Sequence, residues 1–182
     1  MRFLALFFII TASLFWVQNS DAQIFTSDSG YVEFESSAPL LTFKGTSDNL
    51  NGFLNTDTNE VDFYVDLSTL DTGNRRRDRD MRQVYLEVER FPFAEFSGEI
   101  VTPWNPESNN PQTVSVEGSF TMREISRPFS AEGVITPVDG GYQIEASWEI
   151  LLEDYNIDRP RIVFYELSDV QKIRIDINLK GE

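Results

Sequence analysis

The sequence predicts an all-β protein built from about eight antiparallel strands. Apolar and polar residues alternate strictly in several separate segments, most clearly in residues 171–180, where Ile173, Ile175, Ile177 and Leu179 take the odd positions. Side chains of a strand point to opposite faces with period two, so each such segment has one dry face and one wet face. Antiparallel sheets produce this alternation because one face packs inward while the other meets water.

Turn signals separate the predicted strands along the chain. Residues 55–59 form a tight polar turn, residues 103–111 contain three prolines that keep them out of a ladder, and Asp139-Gly140-Gly141 is a hairpin turn. The segments predicted as strands are 31–36, 40–46, 50–54, 61–67, 93–102, 113–122, 129–136, 142–152 and 170–180.

One segment has the period of a helix instead. In residues 75–89 the apolar side chains recur at spacings of three and four, which is typical of an amphipathic helix. These side chains are Met81, Val84, Tyr85 and Val88. Asn74 is a suitable N-cap, and Pro92 marks the end. A second irregular stretch, residues 153–167, contains Pro160 and is expected to hold a short helical turn or an edge strand.

Strands at hairpin spacing form either a barrel or a sandwich. Closure into a barrel removes exposed sheet edges, and an eight-stranded barrel is just wide enough to hold one small or slender ligand. Periodicity alone does not separate the two architectures.

Residues 1–22 are predicted to be a cleavable secretory signal peptide. Arg2 precedes an apolar run over residues 3–17, and Ser20-Asp21-Ala22 places small residues where a signal peptidase cleaves. Fifteen apolar residues are short against the roughly 20 that a spanning helix needs. We therefore expect a mature chain that starts at Gln23, forms one domain over residues 23–182, is secreted or periplasmic, and has no stable membrane insertion.

Composition restricts the function. The net charge of −15 disfavours nucleic acid, whose binding needs clustered positive charge, and also disfavours an anionic membrane surface. The chain has no His and no Cys, which excludes His-based nucleophilic triads, His-ligated metal sites and disulfides. We expect neither a metal nor a catalytic cofactor.

Several motifs follow one another in a recognisable order. Residues 67–74 read Leu-Ser-Thr-Leu-Asp-Thr-Gly-Asn, and an Arg/Asp-rich stretch then ends in Met81-Arg82. Further motifs are Tyr-Leu-Glu-Val at 85–88, Phe-Pro-Phe-Ala-Glu-Phe-Ser-Gly at 91–98, Val-Glu-Gly-Ser-Phe-Thr-Met at 116–122, Ile-Ser-Arg-Pro at 125–128 and Tyr-Asn-Ile at 155–157. This order resembles the YceI-like family over nearly all of the mature chain.

The resemblance implies a fold and a function. The family is associated with an extended eight-stranded antiparallel lipocalin-like barrel, here with one short amphipathic helix, whose apolar tunnel holds polyisoprenoid chains such as quinone tails. Its members are not generally enzymes. The chain departs from the family pattern where His is frequent, at Ser29-Gly30 and Asp80, and Glu124-Ile125 replaces a usual Gly. These departures affect the expected head group more than the tunnel.

The predicted tunnel is lined by large inward-facing side chains, with two residues of the helix as a lid. The predicted lining is Phe43, Phe63, Val65, Met81, Tyr85, Phe96, Val116, Phe120, Ile135, Trp148 and Ile150. The alternative is that these residues pack against one another as a solid core. Arg79 and Arg82 are candidates for holding an anionic or carbonyl-bearing head group. The alternative for that cluster is a solvated helix face, with Asp78 and Asp80 pairing locally.

Two other function classes remain open. A carboxylate-based hydrolase would need two facing acids, which Glu145 with Glu149, or Asp62 with Asp66, would supply. Both pairs lie on predicted polar faces, hence outside. An extracellular carbohydrate-binding or adhesion module would use residues 57–60 for calcium or the loop aromatic Trp104 for sugar. The sequence is compatible with a homodimer and does not decide the oligomeric state.

Overall fold

The computed structural model describes residues 23–39, 41–162 and 165–181. The predicted signal peptide, residues 1–22, lies outside this range, as does Leu40, the first residue of one predicted strand.

The described chain consists of ten strands, one short α-helix and several single turns. The strands are β1 (Ile24–Ala38), β2 (Leu41–Asn55), β3 (Glu60–Asp66), β4 (Phe93–Ile100), β5 (Gln112–Met122), β6 (Ile125–Val138), β7 (Gly141–Leu151), β8 (Arg161–Ile162), β9 (Tyr165–Glu166) and β10 (Val170–Gly181). The helix α1 (Arg75–Asp80) continues into a π-helical turn (Met81–Tyr85), and 3-10 turns occur at Leu67–Thr69 and Glu153–Tyr155.

Eight of these strands close into a barrel in the order β1-β10-β7-β6-β5-β4-β3-β2. Every neighbouring pair is antiparallel, including the closing pair of β1 with β2. The predicted eight-stranded barrel is confirmed, and the sandwich is excluded because the sheet has no free edges. The stretch 153–167 holds the short helical turn expected for it, and its two strands, β8 and β9, form a small separate sheet instead of an edge of the barrel.

Several boundaries differ from the prediction. The strand predicted over 31–36 is β1, which already begins at Ile24, and the strand predicted over 129–136 is β6, which begins at Ile125. The segments predicted as 40–46 and 50–54 belong to one strand, β2, because residues 47–49 stay extended where β1 shifts its register beside them. The predicted helix over 75–89 ends at Tyr85, and its last turn is π-helical. The wider turn alters the helical phase, so Val84 is 63% exposed rather than part of the buried face.

The two ends of the barrel differ. One end, called the helix end below, is covered by residues 67–92 and 152–169, which connect β3 to β4 and β7 to β10. The other end, called the plugged end, is filled by aromatic rings. There Tyr142 packs edge-on against Phe25 and Trp104, with ring centroids 4.8 and 5.8 Å apart. The Tyr142 hydroxyl donates to the Pro106 carbonyl, and the Trp104 indole donates to Asn59 at 2.8 Å.

The β5–β6 hairpin has a backbone that its sequence does not favour. Its turn residues Arg123 and Glu124 have φ of 51° and 60°. Two-residue hairpin turns of type I′ require positive φ at both positions, which Gly and Asn adopt with least cost. Arg123 is held by an ion pair with Glu87 and a hydrogen bond to the Asn156 carbonyl, whereas Glu124 is exposed. Glu124, which no such contact holds, therefore places strain at this turn.

We predict that Glu124→Gly stabilises the fold. A left-handed conformation costs a non-glycine residue about 1–2 kcal/mol, part of which the greater chain entropy of Gly cancels. Urea denaturation should therefore show an unfolding free energy higher by about 1 kcal/mol. Glu117→Gly, in the middle of β5, is the control and should be destabilising. A loss of stability for Glu124→Gly would contradict the strained turn.

Candidate functional site

A cavity of about 550 Å³ occupies the interior of the barrel toward the helix end. Its position is clearest along β10, where Gln171, Ile173 and Ile175 line it. The next inward residues, Ile177 and Leu179, are 1% and 0% exposed and do not line it. The same face of one strand thus borders empty space at the helix end and a solid core at the plugged end.

Strand alternation explains why the cavity wall is apolar. On β1 the inward residues Val32 and Phe34 line the cavity, while Glu33 between them faces outward and pairs with Lys44 at 2.6 Å. Several of the inward aromatic side chains are only partly buried, because they border open space inside the barrel. A wall of this kind presents apolar area without directed polar contacts.

All eleven residues predicted as lining do line this cavity. They are Phe43, Phe63, Val65, Met81, Tyr85, Phe96, Val116, Phe120, Ile135, Trp148 and Ile150. Contact of these residues with a bound molecule remains a prediction. Sequence reasoning missed Phe34, Leu50, Leu67 and Phe129, which also line the cavity. For Phe34 and Phe129 the signal was present, since both alternate in phase with other inward residues of their strands.

Four aromatic rings form one connected part of the wall. Phe129 lies between Phe96 and Trp148, with ring centroids 5.5 and 5.6 Å away, and Phe120 lies 5.8 Å from it. Edge-to-face packing at these distances is favourable and fixes the rings relative to one another. These contacts therefore keep the four rings in the wall, and the rings do not collapse into the open space.

The helix α1 and its π-helical turn cover the helix end of the cavity. Asn74 caps α1 as predicted, since its side chain accepts hydrogen bonds from the backbone N–H groups of Arg76 and Arg77. Met81 and Tyr85 face the cavity from this cover. Exposed residues on two segments also line the cavity, Asn74 and Arg76 at the start of α1 and Arg161 on β8, so the cavity reaches the surface beside these residues.

Arg77 is one of three arginines that line the cavity, and its guanidinium is held in place by its neighbours. Its guanidinium lies 4.0 Å from the centroid of the Phe43 ring. It also donates two hydrogen bonds to Thr72, one to the hydroxyl and one to the carbonyl, both at 2.8 Å. The sequence of residues 75–82 alone does not single out Arg77. Which arginine faces inward depends on the residue at which α1 begins, and the Asn74 cap sets that residue.

The candidate head-group residues Arg79 and Arg82 do not line the cavity. Arg79 is exposed and lies beside Asp80 at 3.7 Å. Arg82 donates to the Leu70 carbonyl at 2.5 Å and so connects the helix to the preceding chain. The structure gives both residues positions away from the bore, and a role in head-group binding remains a prediction for each.

Asp78 fastens α1 to Thr72 in the preceding segment, whose neighbour Asp71 exchanges backbone hydrogen bonds with Thr46 of β2. Its carboxylate accepts hydrogen bonds from the Thr72 backbone N–H at 2.9 Å and from the Thr72 hydroxyl at 2.5 Å. Burial opposes ionisation of this carboxyl. The hydrogen bonds from Thr72 and the charge of Arg82 outweigh that effect, so the pKa of Asp78 lies below its usual value. The local pairing expected for Asp78 is thus with Thr72, and it holds the cover of the cavity in place.

Charge is distributed unevenly between the helix end and the rest of the barrel. Ten of the fourteen lysines and arginines after residue 22 lie at the helix end, in residues 75–90, 123–127 and 159–161. Many have carboxylate partners there, such as Glu87 and Glu166. The rest of the barrel has four cations and most of the acidic residues, so the helix end is the less negative of these two regions.

The residues of the alternative functions lie elsewhere. Glu145 is on the outer face and pairs with Arg174 at 3.3 Å, and Asp62 accepts a hydrogen bond from Ser97. Neither lines the cavity, nor do Glu149 and Asp66. Trp104, the candidate for sugar binding, belongs to the plug. Within the described ranges, no group of three or more Asp, Glu, His or Cys side chains is placed to hold a metal ion.

None of the helices in the part of the chain that the structure describes has both the length and the apolar character needed to cross a membrane.

Comparison with known sequences finds one family and a curated relative. A family model described as YceI-like domain matches residues 23–180. The Photorhabdus laumondii protein named UPF0312 protein plu2095 is 30% identical over 105 residues, which is 54% of this chain and 52% of that protein. The match therefore spans about half the length of this curated relative.

Comparison with solved structures finds the same fold at low identity. A polyisoprenoid binding domain from Saccharophagus degradans superposes with a TM-score of 0.73 at 14% identity, over 88% of this chain and 99% of that one. Burkholderia cenocepacia BcnA gives 0.67 at 11% identity, over 82% and 95%. The Campylobacter jejuni YCEI protein gives 0.50 at 15% identity, over 100% and 99%. At these identities the similarity shows the fold alone.

We predict that Ile177→Ala and Ile173→Ala differ in cost, although both side chains face inward on β10. Ile177 is enclosed by packed side chains, so its truncation leaves a new void and should lower the unfolding free energy by about 2–5 kcal/mol. Ile173 already borders the cavity, so its truncation should cost less than half as much. Urea denaturation of the purified variants measures both, and equal costs would contradict an open bore.

We predict that Asp78→Ala destabilises the protein only while the carboxyl is ionised. Its pKa is lowered in the folded state, so its stabilisation is present above the unfolded pKa of about 3.9 and is lost as pH falls through the lowered folded value. Denaturation at neutral pH should show a loss of about 1–3 kcal/mol, which shrinks at about pH 2.5. Asp80→Ala is the exposed control. A loss that is the same at both pH values would refute the anchor.

Proposed function

The chain belongs to the YceI-like family, and on that premise we propose that it is an exported binding protein that holds a long apolar chain inside its barrel. The bound molecule is of the polyisoprenoid or quinone type. The single observation that carries this proposal is the apolar cavity that continues through the helix-end part of the barrel and reaches the surface beside α1.

The chemistry of the wall suits a hydrocarbon chain. An isoprenoid tail has no hydrogen-bonding groups, so its binding is driven by removal of apolar surface from water, about 25 cal/mol per Å² before the costs of association. The cavity volume falls within the range typical of ligand pockets, about 300–1,000 Å³. A long bore lined by aliphatic and aromatic side chains supplies such burial along the whole chain.

The distribution of polar groups gives the bound chain a direction. The part of the cavity nearest the plugged end is walled by Val61, Val114 and Ile135. Most of the polar lining residues, among them Asn74, Arg77 and Arg161, lie at the helix end. A hydrocarbon tail therefore enters toward the plug, and the polar end of the molecule stays beneath α1.

The relatives support the same class of ligand. The Saccharophagus degradans domain is described as a polyisoprenoid binding domain, and this chain shares its fold over 88% of its length. The fold similarity alone is compatible with many ligands, so the argument depends on the family together with the apolar bore of this chain.

Export is the second part of the proposal. The apolar run that follows Arg2 is typical of a secretory signal, with cleavage before Gln23. The mature protein would then act in the periplasm or outside the cell. N-terminal sequencing of the protein isolated from its own host tests this, and a start at Met1 would contradict it.

The direct test of the ligand is organic extraction of the protein purified without denaturation from its native host, followed by mass spectrometry. We expect one class of long-chain apolar molecule in near-stoichiometric amount. A bound sugar would favour the carbohydrate-binding alternative, and the absence of any stoichiometric lipid would contradict the proposal.

We predict that Ala131→Phe abolishes binding by filling the bore, since Ala131 lines the cavity from β6. The added ring occupies space that the chain needs, so the amount of extracted lipid should fall at least tenfold while the fold is kept. Ser130→Phe adds the same ring one residue earlier on the outer face and should leave the bound lipid unchanged. Equal lipid content in the two variants would show that the bore is not the binding site.

A further inference from the structure

A buried hydroxyl without a partner lies in the wall of the bore. Ser36 follows Val32 and Phe34 on the inward face of β1, lines the cavity, and is 1% exposed. Its Oγ has no hydrogen-bond partner among the described residues. A buried hydroxyl left unpaired is costly to the folded protein, and native structures usually satisfy such groups.

Ser36 lies near the helix end of the cavity, where the polar end of the bound chain is proposed to lie. Glu35 on β1 pairs with Lys172 on β10, so the next inward residues along the two strands are Ser36 and Gln171. Both line the cavity near its helix end. The Gln171 amide N–H group donates to the carbonyls of Ser168 and Val170, which orients the side chain.

Two other polar groups of the lining are less suited to this role. The Arg77 guanidinium is bonded to Thr72 and stacked on Phe43. The Trp148 indole N–H also lacks a partner in the described structure, but Trp148 pairs with Ile173, one inward position deeper than Gln171. Among the buried unpaired side-chain groups of the described residues that line the cavity, Ser36 is therefore the one closer to the helix end.

We propose that Ser36 is the hydrogen-bond anchor for a neutral oxygen, a hydroxyl or a carbonyl, at the polar end of the bound chain. The Ser36 hydroxyl both donates and accepts, so it suits either group. The bore then distinguishes an oxygen-bearing chain from a plain hydrocarbon of the same length. This inference rests on the proposed function, because it requires that the bore binds a chain at all.

The test compares two ligands that differ only at one end, geranylgeraniol and the corresponding hydrocarbon in which a methyl group replaces the terminal alcohol. Each displaces the fluorescent hydrocarbon diphenylhexatriene from delipidated protein, which yields both dissociation constants. The ratio of these constants, compared between the wild type and Ser36→Ala, cancels the different solubilities of the ligands.

Ser36→Ala should weaken binding of the alcohol relative to the hydrocarbon by about fivefold, which corresponds to the roughly 1 kcal/mol of one neutral hydrogen bond. Hydrocarbon binding should change by less than twofold. The control Ser37→Ala removes the same hydroxyl from the next residue, whose side chain is on the other face of β1, and should leave the ratio unchanged.

The outcomes separate the anchor from the binding function. Normal binding of both ligands with an unchanged ratio in Ser36→Ala overturns the anchor and leaves the proposed function standing. Failure of both ligands to displace the probe from the wild type overturns the two together. Because the Ser36 hydroxyl makes no hydrogen bond within the described structure, Ser36→Ala should fold normally, and its denaturation midpoint checks this.

Discussion

The rest of this structure depends on one constraint. An eight-stranded sheet closes on itself around more space than its inward side chains fill. Closure pairs every strand on both sides, so the sheet is stable without a second layer to cover it. The inward side chains of β10 show the consequence. Ile177 and Leu179 meet a packed core, whereas Ile173 and Ile175 border the cavity. A core packed to ordinary density throughout would leave no room for a ligand.

Several groups keep this space open and accessible. The aromatic rings around Phe129 pack edge-on against one another within the wall. The plug around Tyr142 closes one end, and Asp78 holds α1 over the other end through Thr72. The mouth lies beside this helix, which also brings most of the positive charge of an acidic protein to one end. Within the described residues, the architecture therefore combines an apolar interior with a polar entrance beside α1.

The sequence predicted the wall better than the mouth, for a physical reason. Lining residues such as Phe63, Phe120 and Ile135 lie on strands, where a period of two decides which side chains face inward. The cover is irregular, and a π-helical turn altered the phase that should have buried Val84. Alternation also could not show whether the inward residues touch one another across the barrel, since a solid core and an open bore have the same pattern.

Polar groups of the site were the least predictable. Arg77, rather than Arg79 or Arg82, lies over the bore, and this depends on the residue at which α1 begins. Ser36 falls in phase with Phe34, but a small polar residue in an inward position gives no sign of whether its hydroxyl finds a partner. Such properties depend on contacts between strands distant in sequence, which a single sequence does not contain.

A crystal structure of the protein purified from its native host tests the central claim most directly. The account predicts continuous tubular electron density along the axis of the bore, from the mouth beside α1 to Ile135, that the protein chain does not explain. A barrel whose Phe96, Phe120 and Trp148 side chains meet across the interior, with no density and no space between them, would contradict it.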